Sequence, residues 1–234
     1  MLIIITTSSP SGTSEQTNTV VMIHDAFQPL SYWNGFMPSP KWDGVILDTH
    51  IYEMFSVQVS ILYAEWYCGV TCYQGNQKSD KEHIQSACSH ANDITSATLW
   101  VVVGEWTPAA NDCAKYLNGR GIGARYDGSY PGSTRVGSCN GLTGKGSTFS
   151  QSYKDFLRQH WEAQVITFEK GQGWLQWAWK AEQADEWSYQ AGLLNGWIPM
   201  NPTDYKYSNI CGWTLQKVTL IGSTLDKWHV DNSL

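Results

Sequence analysis

The stretch WVVVGEW, Trp100–Trp106, places a carboxylate at the end of a run of valines. Consecutive β-branched residues are typical of a strand that is buried on both faces, the kind found in parallel sheets. Because side chains alternate across a strand, Val101, Val103 and Glu105 are predicted to share one face. An ionised side chain is costly at such a position unless a partner or a function requires it. The stretch therefore predicts a buried parallel strand that ends at a functional glutamate.

Three further segments run from an apolar start to a polar or aromatic end: TVVMIHDAF (19–27), GVILDTHIY (44–52) and GWLQWAWK (173–180). Their ends carry the same kinds of side chain, namely His24, Asp25 and Phe27, then Asp48, His50 and Tyr52, then Trp177, Trp179 and Lys180. In a (β/α) barrel the functional groups collect at the C-terminal ends of parallel strands. The four segments together predict an α/β fold of this barrel type.

Helical stretches and long loops lie between these strands. The clearest helical pattern is SQSYKDFLRQHWEAQVITFEK, 150–170, in which apolar residues recur near helical spacing. Ser150 is predicted to be its N-cap. The loop that begins at Asn118 is long and rich in Gly, Ser and Asn. Long loops on a rigid parallel scaffold usually build a site.

Composition and charge exclude several classes of protein. A chain of 234 residues with 42% hydrophobic residues is predicted to form a globular core. Its formal net charge is −6 and no basic cluster lies among its aromatic residues, so nucleic acid is not an expected partner. No apolar run approaches the roughly 18 residues that span a bilayer, so no membrane partner is expected. The initial MLIIITT is too short for a signal-peptide core.

The cysteine content favours an oxidising compartment. The chain has six cysteines, an even number, and is also acidic and rich in Trp and Gly. No CxxC pair with a matching second pair indicates zinc, and no metal is predicted. The chain thus has the composition of an extracellular protein without an export signal. We interpret this mismatch as a sign that the beginning of the protein is missing.

A series of motifs carries a family resemblance: HDAFQPLSYWNGFM, DTHIYEMF, VVVGEW, DCAKYLNGRGIGARYDGSYPGS, GSCNGLTGKGS, GWLQWAWKAEQADEWSYQ and NGWIP. In this order they closely resemble the fungal exo-β-1,3-glucanases, or glucan 1,3-β-glucosidases, of glycoside hydrolase family 5. The resemblance covers roughly 20–56 and 80–212. It implies a TIM barrel that hydrolyses β-1,3-glucan by a retaining mechanism without cofactor or metal. It also implies a monomer that is secreted or located in the cell wall.

The resemblance implies that Glu105 is the catalytic nucleophile and that His50 and Tyr52 form hydrogen bonds beside it. The spacing agrees with these roles, because His50 and Tyr52 are two apart on a strand and project to one face. Tyr52 can donate a hydrogen bond that keeps the carboxylate ionised and aimed. An ionised glutamate is what attack on an anomeric carbon requires.

The resemblance also implies a set of substrate-binding side chains. Trp177 would be the platform beneath the sugar that is cleaved, and Phe27 and Phe55 would line the substrate entrance. Aromatic rings suit this task, because the C–H faces of glucose are apolar while its rim forms hydrogen bonds. Asp25 is assigned to the substrate-binding set, with a scaffold role as an equal alternative.

Retaining hydrolysis requires a second carboxyl group about 5 to 5.5 Å from the nucleophile, which acts first as acid and then as base. In the family this group belongs to an Asn-Glu pair at the end of the fourth strand, and the present sequence contains no Asn-Glu. No acid/base residue is therefore assigned. The matched region begins at the family's fifth strand, so residues 20–212 are predicted to form strands five to eight, the C-terminal half of a barrel.

Three segments lie outside the resemblance: 1–19, 57–74 and 213–234. The segment 57–74 interrupts an otherwise continuous match, and the codons of its first and last residues fit the borders of an intron. We interpret it as a retained intron. The resemblance implies the disulfides Cys88–Cys211 and Cys113–Cys139. The other two cysteines, Cys68 and Cys72, lie inside the inserted segment.

Three hypotheses follow for the chain. The first is an exo-β-1,3-glucanase that releases glucose from laminarin-like glucan. The second is a non-catalytic glucan-binding remnant that lacks the acid/base glutamate. The third is a gene-model fragment that does not fold alone, because half a barrel exposes its edge strands and its apolar interior. β-1,4-Glucans are the nearest alternative substrates, and the long loop 119–146 favours β-1,3-glucan.

Overall fold

A computed structural model of the chain shows a mixed α/β protein. It describes residues 2–7, 18–42, 44–54, 78–212, 216–218 and 227–229. Phe55, the inserted segment 57–74 and most of the two unmatched terminal segments lie outside the described residues. What the sequence predicts for them therefore stays a prediction.

A four-stranded sheet forms the centre of the described structure. Its strands lie side by side in chain order: β1 (Leu2–Thr7), β2 (Asn18–His24), β3 (Val45–Ile51) and β4 (Trp100–Trp106). Strands β2, β3 and β4 are parallel, whereas β1 pairs antiparallel with β2. A separate antiparallel pair joins β5 (Gln216–Val218) to β6 (Lys227–His229). The parallel sheet predicted from the valine run is confirmed.

The fourth predicted strand follows β4 but is irregular. Its backbone runs parallel to β4 and donates N–H hydrogen bonds to β4 carbonyls. These bonds join Gln172 to Val101 at 2.7 Å, Leu175 to Val103 at 2.9 Å and Trp177 to Trp106 at 2.8 Å. Only the pairing of Val103 with Trp174 has the geometry of a regular bridge. At the opposite edge of the sheet, β1 pairs with β2, and the strand β1 is not among the predicted ones.

Three α-helices lie in the described residues: α1 (Asp80–Ser96), α2 (Gln151–Phe168) and α3 (Tyr189–Asn195). A capping box begins α1, since Ser79 and Glu82 each accept a hydrogen bond from the other's backbone N–H. Helix α2 begins as predicted, because the Ser150 side chain accepts from the backbone N–H of Tyr153. None of these helices has the length and apolar character that crossing a bilayer requires.

The largest core cluster lies between β4 and α2. Val101, Val103 and Trp106 of β4 are buried together with Trp161 and Phe168 of α2. The Trp106 ring meets the Phe168 ring edge-on at 5.4 Å and the Trp161 ring at 6.5 Å. Contacts of this kind add to the burial of large apolar surfaces. The core therefore holds β4 rigidly on the helix side and leaves its other face for function.

Two disulfides tie distant parts of the chain together, and both are pairings that the resemblance implies. Cys88 of α1 bonds to Cys211, 123 residues further along the chain, with 5.4 Å between the Cα atoms. Cys113 bonds to Cys139 across a separation of 26 residues. The long bridge connects α1 to the segment that follows α3, and the short bridge closes part of the long loop after β4.

Replacing Cys88 and Cys211 by serine should lower the free energy of unfolding by about 5 kcal/mol, because this bridge closes a loop of 123 residues. The matched serine pair at Cys113 and Cys139 should cost about 3.5 kcal/mol, since its loop has 26 residues. Urea unfolding followed by tryptophan fluorescence measures both losses. Equal losses, or none for the long bridge, would contradict this account.

Candidate active site

A β-bulge in β4 decides which way Glu105 points. Thr49 of β3 pairs with Val103, but the next residue, His50, pairs with Glu105. Gly104 is therefore an extra residue on β4, and the alternation of side chains shifts by one position. The prediction that Glu105 shares the valine face is wrong for this reason. Trp106 takes that place in the core, and Glu105 faces the same side as His50.

Gly104 is required at the bulge because Asp48 fills the space beside it. A Cβ atom at position 104 would lie 1.9 Å from Oδ1 of Asp48. No real Cβ contact is that short, so any side chain at this position would displace the carboxylate or the strand. The Asp48 side chain is itself 15% exposed. Glycine thus lets two strands approach closely under the candidate site.

Two side chains hold the Glu105 carboxylate. The Tyr52 hydroxyl donates to Oε2 of Glu105 at 2.9 Å, and Nδ1 of His50 lies 3.5 Å from the same oxygen. Burial, the hydrogen bond to Glu105 and the charge of Glu105 all raise the pKa of Tyr52 far above its usual value. The phenol therefore stays protonated and remains a donor. The Glu105 side chain is 33% exposed, so a ligand can reach it.

His50 lies between two carboxylates. Its Nε2 atom is 3.4 Å from Oδ2 of Asp48, while its Nδ1 atom faces Glu105. The His24 ring packs edge-on against the His50 ring at 4.4 Å. The two acidic groups and the neighbouring ring together fix the orientation of the imidazole. Sequence reasoning did not assign roles to Asp48 and His24, although the spacing of Asp48 and His50 puts both on one face of β3.

Two exposed aromatic side chains lie at the same end of the sheet as the Glu105 carboxylate. Phe27 is 56% exposed, and its ring lies 4.9 Å from that of His24 and 6.2 Å from that of His50. Trp177 is 53% exposed, and its backbone N–H donates to the carbonyl of Trp106, which follows Glu105 directly. The structure thus brings Glu105, Phe27 and Trp177 to one end of the parallel strands, as the sequence predicts.

Asp25 is buried beneath Phe27. It is 3% exposed, and its carboxylate accepts hydrogen bonds from the Thr49 hydroxyl at 2.5 Å and the Phe27 N–H at 2.8 Å. Phe27 has a left-handed backbone with φ of 58°, which costs energy for a residue other than glycine. The Asp25 hydrogen bond stabilises that conformation. The structure therefore gives Asp25 a scaffold position, and Phe55 lies outside the described residues.

A buried ion cluster anchors the turn that follows Tyr52. Glu53 is 0% exposed and contacts Nζ of Lys78 at 3.0 Å and Nε2 of His90 at 3.1 Å. Burial alone would raise the pKa of Glu53, but the hydrogen bond and charge of His90 and the charge of Lys78 hold that pKa far below its usual value. The cluster fixes the end of β3 to α1 and so limits where Tyr52 can lie.

The long loop after β4 packs behind the site. Asp112 is 1% exposed and accepts from the backbone N–H groups of Arg125 at 2.9 Å and Tyr126 at 3.0 Å. Leu117 packs against the cluster that contains Trp187, whose ring lies 6.0 Å from that of Tyr52. The loop therefore supports the wall of the site rather than lying free.

Glu186 is a second buried carboxyl behind this wall. It is 1% exposed, burial raises its pKa to about 7, and neither of its side-chain oxygens has a hydrogen-bond partner among the described residues. Because the folded-state pKa is raised, the folded state loses stability as pH rises from about 4.5 to 7. No sequence signal distinguishes this glutamate from an exposed one.

Among the described residues, no group of three or more His, Cys, Asp or Glu side chains is placed to hold a metal ion.

Comparison with known proteins finds no matching family model. Similar curated proteins include the probable glucan 1,3-beta-glucosidase A of Aspergillus niger, 40% identical over 196 residues, which are 83% of the chain and 42% of that protein. The glucan 1,3-beta-glucosidase of Blumeria graminis is 40% identical over 84% of the chain and 43% of its own length. Glucan 1,3-beta-glucosidase I/II of Saccharomyces cerevisiae is 36% identical over 84% of the chain and 41% of its own length. The chain thus spans less than half the length of these relatives.

Substituting Gly104→Ala should lower the free energy of unfolding by about 2 kcal/mol or more, because the new methyl group collides with Asp48. The control is Asp48→Ala, alone and combined with Gly104→Ala. Removing the carboxylate relieves the collision, so the double variant should be more stable than the sum of the single losses predicts. Urea unfolding measures all three. A Gly104→Ala variant as stable as the parent protein would refute the bulge account.

The Glu53 cluster should make the protein acid-sensitive. The pKa of Glu53 is lowered in the folded state, so ionised Glu53 stabilises the fold. This contribution is complete above about pH 4.5 and is lost as pH falls below that value. Urea unfolding between pH 5 and 3 should therefore show a shallower loss of stability for Glu53→Gln than for the parent protein. The control is Glu182→Gln at an exposed position. Equal pH dependence in both variants would contradict the prediction.

Proposed function

We propose, from the kinship of this chain with the fungal glucan 1,3-β-glucosidases, that it carries the nucleophile side of a retaining β-1,3-glucosidase active site. One observation carries the proposal. A partly exposed glutamate ends a buried strand, a tyrosine and a histidine hold one of its oxygens, and two exposed aromatic side chains lie at the same end of the sheet. In this proposal Glu105 is the nucleophile, His50 and Tyr52 orient it, and Trp177 and Phe27 bind the sugar.

The contacts of Glu105 suit a nucleophile. Both Tyr52 and His50 approach Oε2, which leaves Oε1 as the oxygen that attacks. Attack of Oε1 on the anomeric carbon forms an ester to the sugar, and the glycosidic C–O bond breaks as the departing oxygen takes a proton. Water then attacks the same carbon, loses a proton, and releases glucose with its original configuration while the carboxylate is regenerated.

The proton donor is proposed to lie in a part of the longer protein that this chain does not cover. The sequence has no Asn-Glu pair, and the chain spans 42% of the Aspergillus niger relative. We assign residues 20–212 to strands five to eight of a TIM barrel, with β2, β3, β4 and the segment beside β4 as those strands. Their parallel order supports the assignment. In such a barrel a parallel fourth strand would occupy the edge where β1 lies.

The proposed substrate is β-1,3-glucan, cut from its non-reducing end. The two disulfides favour an extracellular or cell-wall setting, since such bonds persist in oxidising compartments. We propose a monomer, as the family resemblance implies. The second candidate is a chain that binds glucan without cleaving it, and the missing Asn-Glu favours it. The two differ in whether unactivated β-1,3-glucan is hydrolysed, because that step needs the missing acid.

A mechanism-based label tests the role of Glu105. A 2-deoxy-2-fluoroglucoside with a dinitrophenyl leaving group needs little protonation, so it should form an ester on Glu105 even when the acid is absent. Mass spectrometry of digested protein should find one fluorosugar on the peptide that contains Glu105. The Glu105→Gln variant should remain unlabelled. A label on another carboxylate, or none on the folded parent protein, would overturn the assignment.

A further inference from the structure

Trp179 and Tyr189 form an exposed pair of stacked rings outside the site described above. Their centroids are 5.9 Å apart and the rings are tilted by 21°. Trp179 is 62% exposed even though Tyr189 packs on one side of it. The indole therefore presents its other face to solvent. Tyr189 itself is half-buried, and burial raises its pKa.

The backbone around this pair is held firmly. The N–H of Ala178 donates to the carbonyl of Trp187 at 2.9 Å, and the N–H of Tyr189 donates to the carbonyl of Ala178 at 2.9 Å. The N–H of Gln190 donates to the carbonyl of Trp179 at 3.0 Å. Two short backbone stretches thus lie side by side and keep the two rings in register. A preorganised ring loses little conformational freedom when a ligand packs on it.

The pair lies close to the platform proposed for the reacting sugar. Trp177 and Trp179 are separated by one residue, so their Cα atoms are at most about 7 Å apart. Both indoles are more than half exposed, at 53% and 62%. Lys180 and Gln190 are exposed beside Trp179 and can form hydrogen bonds with hydroxyl groups. An apolar ring face bordered by polar side chains matches the surface of a pyranose.

The other exposed tryptophans of the described residues lack this backing. Trp42 is 46% exposed, and Lys41 lies over its ring at 5.5 Å. Trp100 is 52% exposed and stands at the start of β4, the end opposite Glu105. Among these exposed indoles, Trp179 alone packs nearly parallel to a second aromatic ring. A stacked ring is supported on one side and open on the other, which leaves one apolar face for a sugar.

We propose that Trp179, supported by Tyr189, is a second sugar platform that binds another glucose unit of the same β-1,3-linked chain. The inference rests on the proposed function, because it takes β-1,3-glucan as the ligand. It adds a contact that a single glucose bound over Trp177 cannot make. Trp179 therefore makes the affinity depend on ligand length, because oligosaccharides long enough to reach it bind more tightly than short ones.

Titrations with glucose and with β-1,3-linked glucose oligomers of two to five units test this platform. Calorimetry on the full 234-residue chain should show affinity that rises with oligomer length. Trp179→Ala should remove this rise and weaken the longest oligomer by about five- to tenfold, while glucose binds as before. Tyr189→Phe should keep the platform, and Tyr189→Leu should weaken it. Trp42→Ala is the matched control and should bind every ligand like the parent protein.

The outcomes separate the inference from the function on which it rests. If the parent protein binds the oligomers and Trp179→Ala binds the longest one equally well, the second platform is refuted and the proposed function stands. If the folded parent protein binds no β-1,3-linked oligomer, both fail. Melting temperatures and circular dichroism of each variant show that a loss of binding is not a loss of folding.

Discussion

The bulge at Gly104 is the constraint on which the candidate site depends. A regular strand would bury Glu105 against α2 with the valines and would turn Trp106 away from the core. The extra residue Gly104 reverses the faces of the two residues that follow it. Trp106 therefore packs in the core and Glu105 lies on the open face. Stability and function thus use neighbouring positions of the same strand. The bulge requires a glycine, because the Asp48 carboxylate occupies the space beside it.

Electrostatics then determine how the exposed carboxylate is held. Tyr52 and His50 both approach one oxygen of Glu105, and Asp48 contacts the far side of the imidazole. Glu53, which follows Tyr52 in the turn after β3, points into a separate cluster with Lys78 and His90. Removing one member of a buried cluster leaves a charge without compensation, which is costly. This cost keeps the end of β3 in place and makes Tyr52 a fixed donor.

The surroundings of the site are built mostly from segments without regular secondary structure. Disulfides, the buried Asp112 carboxylate and aromatic packing organise the long loop and the region before α3. Backbone pairing between Ala178 and Trp187 does the same for the segment that carries Trp177 and Trp179. Loops fixed in this way can hold aromatic rings in exposed positions. A ring face without a partner in the protein is then available for a sugar.

The sequence by itself determined three parallel strands, the N-cap of α2 and the end of the sheet where the polar groups collect. These features follow from local patterns: β-branched runs, serine before a helical period, and the two-residue spacing of His50 and Tyr52. Only the tertiary structure decided which face Glu105 takes, because a bulge depends on the partner strand. It also placed Asp25 in the scaffold and joined Glu53 to His90, 37 residues away. Such contacts are absent from local patterns, since they arise only when distant segments pack together.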